Sequence, residues 1–192
     1  LTEFKVEQAK NLNPLTNLPG NRFIKKEIKK RIDEPSNFSF LYIDLDNFKA
    51  YNDCYGYHKG DQIINFTAQV IKEAVSEIGD DDDFIGHIGG DDFVIITQDS
   101  KDEALSKRVI RKFKHGIKKY FNELDQQRGY MLIEDKKGRS YKTPLTTLSI
   151  AIVSDKHRKI ASPIEVSDIA AEVKKEAKKS AVSNFLKVKN NV

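Results

Sequence analysis

Two pairs of aspartates stand at the ends of apolar runs in this 192-residue chain. Asp44 and Asp46 follow Phe38-Ser-Phe-Leu-Tyr-Ile43, which carries no charge and no Pro and reads as a strand buried on both faces. Residues two apart in a strand share a face, so the two carboxylates are expected to project together. Asp91 and Asp92 follow Gly89-Gly90, between the apolar runs 84–88 and 93–96. That is a hairpin signal, because glycine supplies positive φ and Asp tolerates turns. Taken singly, the first pair reads as a strand running out into solvent and the second as an ordinary turn. Brought to one end of a sheet, three or four carboxylates would need metal. An oxygen-rich site of this kind suits Mg2+, which takes one or two protein carboxylates plus substrate phosphates.

The elements that must position these residues follow from the pattern. Residues 1–12 read as the end of a linker helix from an absent upstream domain, and residues 13–192 as the domain proper. Asn13 to Arg22 is a turn-rich connector with Pro14, Pro19 and Gly20, and a polar helix is expected from about Arg22 to Ile32. Phe48 to Cys54 reads as a short helix, residues 55–60 as a glycine-bounded loop, and Asp61 as the N-cap of the next helix. That helix carries Ile64, Ala68, Ile71, Val75 and Ile78 as an apolar stripe, with Gly79 as its stop. Residues 80–83 read as a solvated acidic loop.

Ser100 and Glu103 suggest a capping box opening a long helix with Leu105, Val109, Phe113, Ile117 and Leu124 buried and its lysines solvated. A hairpin is expected from Tyr130–Ile133 and Ser140–Lys142 around Lys136-Lys137-Gly138, then a buried strand from Leu145 to Val153. Ser162-Pro163-Ile164-Glu165 predicts a second capped helix to about Lys179, and Phe185 to Val188 a last strand. Hairpins mixed with helices between strands make this an α+β domain with a mostly antiparallel sheet.

Composition bounds the function. The chain is 39% hydrophobic and 32% charged with net charge +4, which fits a globular domain and an anionic ligand and gives no particular support to nucleic acid as a partner. No run approaches the roughly 20 apolar residues of a membrane span. Met131 is the one Met, so Leu1 is read as lying inside a longer protein. Cys54 stands alone, which excludes an internal disulfide and fits a reducing, cytoplasmic setting.

The ordered set of motifs resembles the GGDEF family, the diguanylate cyclase domains. It comprises Leu15-Thr-x-Leu-Pro-Gly-Asn-Arg22, Asp44-Leu-Asp-Asn-Phe-Lys-Ala-Tyr-Asn52-Asp, Gly56-x-x-x-Gly60-Asp61, Gly89-Gly-Asp-Asp-Phe93 and Thr147-Leu-Ser149. The resemblance implies a fold like the palm of nucleotide cyclases and polymerases, ferredoxin-like, with a five-stranded central sheet flanked by helices and an extra small hairpin. It implies the condensation of two GTP into cyclic di-GMP with release of two pyrophosphates, across an antiparallel homodimer controlled by an upstream sensory or regulatory domain.

By position it implies Mg2+, with Mn2+ as the alternative ion, on Asp44, Asp91 and the Leu45 carbonyl, and Asp92 beside the attacking ribose hydroxyl. Asn52 and Asp61 would hold the guanine edge, and Asn47, Phe48, Lys49 and Lys178 the phosphates. An Asp facing guanine accepts from two donors that adenine lacks, so Asp61 argues for GTP over ATP. The chain departs from the family pattern at Asp92, where Glu is usual, at His87, where Arg is common, and at Val182, where a second phosphate-binding cation is usual. Asp80 opposes in charge the Arg of the family's inhibitory product site, so no feedback inhibition there is expected. The alternative reading is a catalytically weak GTP-binding module that controls an attached domain such as an EAL phosphodiesterase.

Overall fold

Strand β1 (Phe38–Leu45) has hydrogen-bonded neighbours on both sides, and seven of its eight residues are buried. The computed structural model describes residues 11–34, 36–134, 137–156, 159–180 and 182–188. In chain order these form α1 (Asn21–Asp33), β1, α2 (Phe48–Tyr55), α3 (Tyr57–Ile78), β2 (Phe84–Gly89) and β3 (Asp92–Gln98). There follow α4 (Asp102–Gly116), a 3-10 turn (Ile117–Tyr120), α5 (Glu123–Arg128), β4 (Tyr130–Glu134) and β5 (Ser140–Pro144), then β6 (Leu148–Ser154), α6 (Pro163–Ala177) and β7 (Asn184–Lys187). The main sheet has the order β2-β3-β1-β6-β7; its pairs are antiparallel except β6 with β7, and β4 and β5 form a separate hairpin. This is the expected α+β architecture with a mostly antiparallel five-stranded sheet.

Alternation along the strands divides the core into two layers. Leu41, Ile43 and Leu45 of β1 join Phe93, Ile95, Ile150 and Ile152 in one cluster with α3 and α4, through Ile63, Ile71, Val109 and Phe113. Phe38 and Phe40 face the other way with Val94, Ile96 and Val153, where α1 supplies Ile24 and Ile28 and α6 supplies Val166, Ile169 and Ala170. The latter face also carries Tyr42 and Asp44. The apolar layer that fixes α6 against β1 therefore continues directly into the charged end of the strand.

Several boundaries differ from expectation. Helix α3 begins at Tyr57, with Gly56 at φ 85 as its N-cap. Gly60 and Asp61 accordingly lie within the helix, and Asp61 is not a cap. Gly60 permits close packing there, since a side chain at this position would run into Asn52 Oδ1 and approach Phe48 Cζ at 3.2 Å. Helix α4 begins at Asp102, with Lys101 at the N-cap and no side-chain cap. The expected Ser100 box is replaced by Asp102 Oδ1 accepting from the Glu103 N–H at 2.5 Å. The helix ends at Gly116, whose missing Cβ makes room for Phe66, and Leu124 beyond it is 62% exposed.

The second cap is present, with Ser162 Oγ accepting from the Glu165 N–H at 3.2 Å and Pro163 opening α6, while the Glu165 carboxylate reaches back to accept from the Ala161 N–H at 2.9 Å. Gly79 stops α3, but in extended backbone rather than the left-handed form. The linker-helix expectation covers residues 1–12, of which 1–10 lie outside the described residues; Leu12 is not helical and forms an isolated bridge with Pro19. Lys136 of the expected hairpin turn also lies outside them. Among the described residues no helix is long and apolar enough to cross a membrane.

Candidate functional site

The ends of β1 and β3 place Asp44 and Asp92 directly opposite one another in the antiparallel ladder. Two carboxylates in that relation repel unless a cation neutralises them. The cation is Lys174, one turn from the end of α6. Its Nζ lies 2.5 Å from Asp44 Oδ2 and 2.8 Å from Asp92 Oδ1. Lys178, four residues on and hence on the same helix face, places its Nζ 2.5 Å from Asp44 Oδ1. That second contact is an ion pair without hydrogen-bond alignment, so Oδ1 has no hydrogen-bond donor among the described residues.

Burial shapes the charges. Asp44 is 2% exposed; burial and its hydrogen bond with Asp92 push it up to about 7, against the pull of both lysines. Burial would raise Asp92 too, but hydrogen bonds with Asp44 and Lys174 bring it below the ordinary carboxylate range. Burial alone would lower the Lys174 ammonium, and Asp44 and Asp92 more than reverse that, so it remains charged. Its head also lies over the Tyr42 ring, 4.6 Å from the centroid, while burial and Asp92 push the Tyr42 hydroxyl up to about 12. By composition Lys174 is one more solvated lysine of its helix. A usable signal is its spacing of four from both buried Ala170 and Lys178, at the edge of the stripe facing the sheet.

The other expected site residues distribute as follows. Asp46 does not share a site with Asp44. The strand ends at Leu45, and Asp46 accepts hydrogen bonds from Thr147 Oγ1 at 2.7 Å and Ser149 Oγ at 2.8 Å. Its N–H donates to the Thr147 carbonyl at 2.9 Å, so it pins β1 to the start of β6. Asp91 is the turn residue. Its carbonyl accepts from Leu45 N–H at 3.3 Å, and burial, with the nearby Asp92 charge, raises its carboxyl above the ordinary range. It is therefore Asp92, rather than Asp91, that shares a cation with Asp44.

Beyond β1, Asn47 adopts φ 60 and leads into α2 at Phe48. A pocket of about 390 Å³ opens there between Asp46, Asn47, Thr147, Lys178, Lys179 and Ser180. Phe48 is 8% exposed and Lys49 is exposed. On the next turn of α2, Asn52 holds its Oδ1 buried and without a hydrogen-bond partner beside Gly60. Asp61 follows on the exposed side of α3. A buried, unpartnered carbonyl oxygen is costly, and a ligand that brings a donor would satisfy it.

His87 replaces a fixed charge with a fastening. It is 1% exposed and stacks on Phe93 at 4.2 Å between ring centroids. Its Nε2 lies 3.0 Å from the Gly90 carbonyl, which can only accept, so Nε2 carries the proton and Nδ1 accepts from Thr16 Oγ1 at 2.9 Å. Its backbone N–H donates to the Pro19 carbonyl at 2.9 Å. The connector is thereby tied to the Gly89-Gly90 turn. Burial lowers the imidazole below its ordinary value, in keeping with a neutral ring. The acidic loop is likewise structural rather than simply solvated. Asp80 receives Lys101, Asp82 receives the buried Arg31 at 3.3 Å, and Asp83 Oδ2 accepts the Asp80 N–H at 3.0 Å.

The Mg2+ that the resemblance implies does not fit this arrangement. Mg2+ takes carboxylate oxygens at about 2.0–2.1 Å, and each Asp44 oxygen already faces an ammonium group at 2.5 Å.

A family model described as "Diguanylate cyclase, GGDEF domain" matches residues 10–181. Signaling protein YkoW of Bacillus subtilis is 29% identical over 125 residues, 60% of this chain and 15% of that protein. A diguanylate cyclase of Vibrio cholerae is 30% identical over 115 residues, 55% of this chain and 34% of that protein. The chain thus spans about a third or less of these curated relatives. The GGDEF domain of TpbB (YfiN) from Pseudomonas aeruginosa superposes with a TM-score of 0.66 at 20% identity, over 92% of this chain and 93% of that one. Diguanylate cyclase SiaD of the same organism gives 0.71 at 16% identity, over 97% and 65%. With the family model covering nearly the whole chain and the palm-like fold shared, this protein belongs to the GGDEF domain family.

Proposed function

We propose that this domain binds GTP at the Asp44 end of the sheet and condenses two GTP into cyclic di-GMP when two copies meet face to face. The observation that carries the reading is the buried, unpartnered Asn52 Oδ1 beside Gly60, one helix away from the Asp44–Lys174–Asp92 cluster. Guanine offers the donors this oxygen needs, with exposed Asp61 accepting at the same edge. The triphosphate would lie across the pocket at Asn47, with the Lys178 and Lys179 ammonium groups against its charge.

In the reaction the ribose 3′-oxygen of one GTP forms a bond to the α-phosphorus of the other, and the bond from that phosphorus to the β-phosphate oxygen breaks. The 3′-hydroxyl proton passes to a carboxylate, and pyrophosphate leaves. Asp92, held ionised, is the acceptor at hand, and Lys174 and Lys178 stabilise the developing phosphate charge. A second, reciprocal transfer, from the 3′-oxygen of the other GTP to the remaining α-phosphorus with loss of the second pyrophosphate, closes the ring, so each domain contributes its own GTP.

The neutralised Asp44–Asp92 pair favours a second reading. A domain whose carboxylates are committed to lysines keeps a nucleotide pocket while turning over slowly, and its GTP occupancy would control an attached domain. Incubation of concentrated protein with GTP and Mg2+, followed by mass spectrometry, separates the two. Cyclic di-GMP that rises faster than linearly with protein and is lost in Asp92→Ala supports the cyclase. GTP binding without product supports the module, and neither product nor binding overturns both.

A further inference from the structure

We infer that Lys174 is a built-in cation standing in for a divalent metal between Asp44 and Asp92, so that this domain binds nucleotide phosphate without a metal ion on those carboxylates. The side chain is placed for that task. It is only 21% exposed, its head lies over the Tyr42 ring, and Ala170 and Ala177, both fully buried, flank it on α6.

The ammonium bridges the two facing carboxylates at 2.5 and 2.8 Å, as a shared metal would. The contact to Asp92 is a hydrogen bond and that to Asp44 an ion pair, so the ammonium keeps N–H donor capacity for a phosphate oxygen. Lys178 closes the remaining side of Asp44. Two ammonium groups face the two carboxylates, so an arriving divalent ion meets a cluster without net negative charge instead of a dianion. It must also displace an ammonium from the oxygen it would ligate. Asp91 adds a further carboxylate nearby, but it makes no ion pair with either lysine among those described. The inference deepens the GTP reading of the same pocket, yet its metal arm needs no nucleotide.

The test is Mn2+ binding followed by electron paramagnetic resonance, using the parent, Asp44→Asn, Lys174→Met, and Lys174→Met with Asp44→Asn. The parent should show no Mn2+ binding that depends on Asp44. Lys174→Met should gain one site, at least about tenfold tighter than anything in the parent, and Asp44→Asn should abolish it. Asp44-dependent Mn2+ binding by the parent, within about threefold of Lys174→Met, would overturn the inference, as would no gain in a folded Lys174→Met. Circular dichroism checks folding, with Lys174→Gln as a second variant. If neither variant folds, the parent against Asp44→Asn decides: Asp44-dependent binding overturns the inference and its lack supports it.

GTP titration in EDTA and in Mg2+ supplies the other arm. Affinities within about threefold of each other support a resident cation, and a gain of about tenfold or more with Mg2+ that Asp44→Asn removes overturns it. A failure to bind GTP under either condition defeats the nucleotide reading and leaves the outcome of the Mn2+ experiment unaffected.

Discussion

Asp44 and Asp92 are cross-strand partners in β1 and β3, and Lys174 from α6 holds an oxygen of each. The relationship joins the last turn of a helix to two strand ends, so it contributes to stability as well as to the site. Removing one partner of a buried charge pair leaves the other uncompensated, whereas removing both charges is far milder. We expect Lys174→Met to destabilise the parent by about 1–3 kcal/mol, and to cost less than about 1 kcal/mol when Asp44 and Asp92 are both Asn. Urea unfolding of the four proteins measures this, and equal losses in both backgrounds would show that no coupling exists.

His87 makes stability depend on pH in a defined direction. Burial lowers its pKa in the folded state, so the unfolded chain takes up a proton first as pH falls. Stability is therefore complete above the unfolded value of about 6.5 and is lost as pH drops below it, by up to about 1.4 kcal/mol per pH unit. Melting the parent and His87→Gln from pH 5 to 8 isolates this contribution from that of the carboxylates. The parent-minus-variant difference should fall below pH 6.5, and a flat difference would contradict a neutral, buried imidazole.

Gly60→Ala should reverse the usual benefit of alanine in a helix. Replacing a mid-helix glycine ordinarily gains up to about 1 kcal/mol, but here the new methyl meets Asn52 Oδ1 and Phe48. We expect net destabilisation of about 1–3 kcal/mol, with GTP affinity reduced by about tenfold or more as Asn52 is displaced. Thermal melting and a fluorescent GTP analogue report the two effects, and a stabilised, tight-binding variant would contradict the packing described.

Asp61 separates a cap from a ligand contact. Were it the N-cap of α3, Asp61→Ala would cost about 1 kcal/mol. Lying exposed inside the helix, it should cost less than about 0.5 kcal/mol while weakening GTP. Unfolding curves for this one variant distinguish the two.

Much of this is legible in the residues because local rules and tertiary packing agree. The uncharged run to Ile43, the Gly-Gly turn, the stripe of α3 and the Ser162 cap each specify their element by periodicity or turn chemistry, and the motif order specifies the family. What escapes depends on contacts distant in sequence. Asp46 follows the expected alternation only as long as the strand lasts, and Ser149, over a hundred residues away, then turns it aside. Asp61 resembles a cap because Gly60 resembles a loop residue. In fact the absence of a Cβ there serves close approach to Asn52. Lys174 is hidden among Lys175, Lys178 and Lys179, because composition does not say which lysine a helix turns toward buried aspartates.

The most direct measurement is calorimetric titration of GTP into the parent, with Asp61→Ala and Asn52→Ala alongside and ATP as competitor. The account predicts GTP binding to the parent, loss of at least about tenfold in each variant, and little competition by ATP. A parent that binds no GTP, or variants that bind it as well as the parent, would contradict a guanine pocket at this end of the sheet.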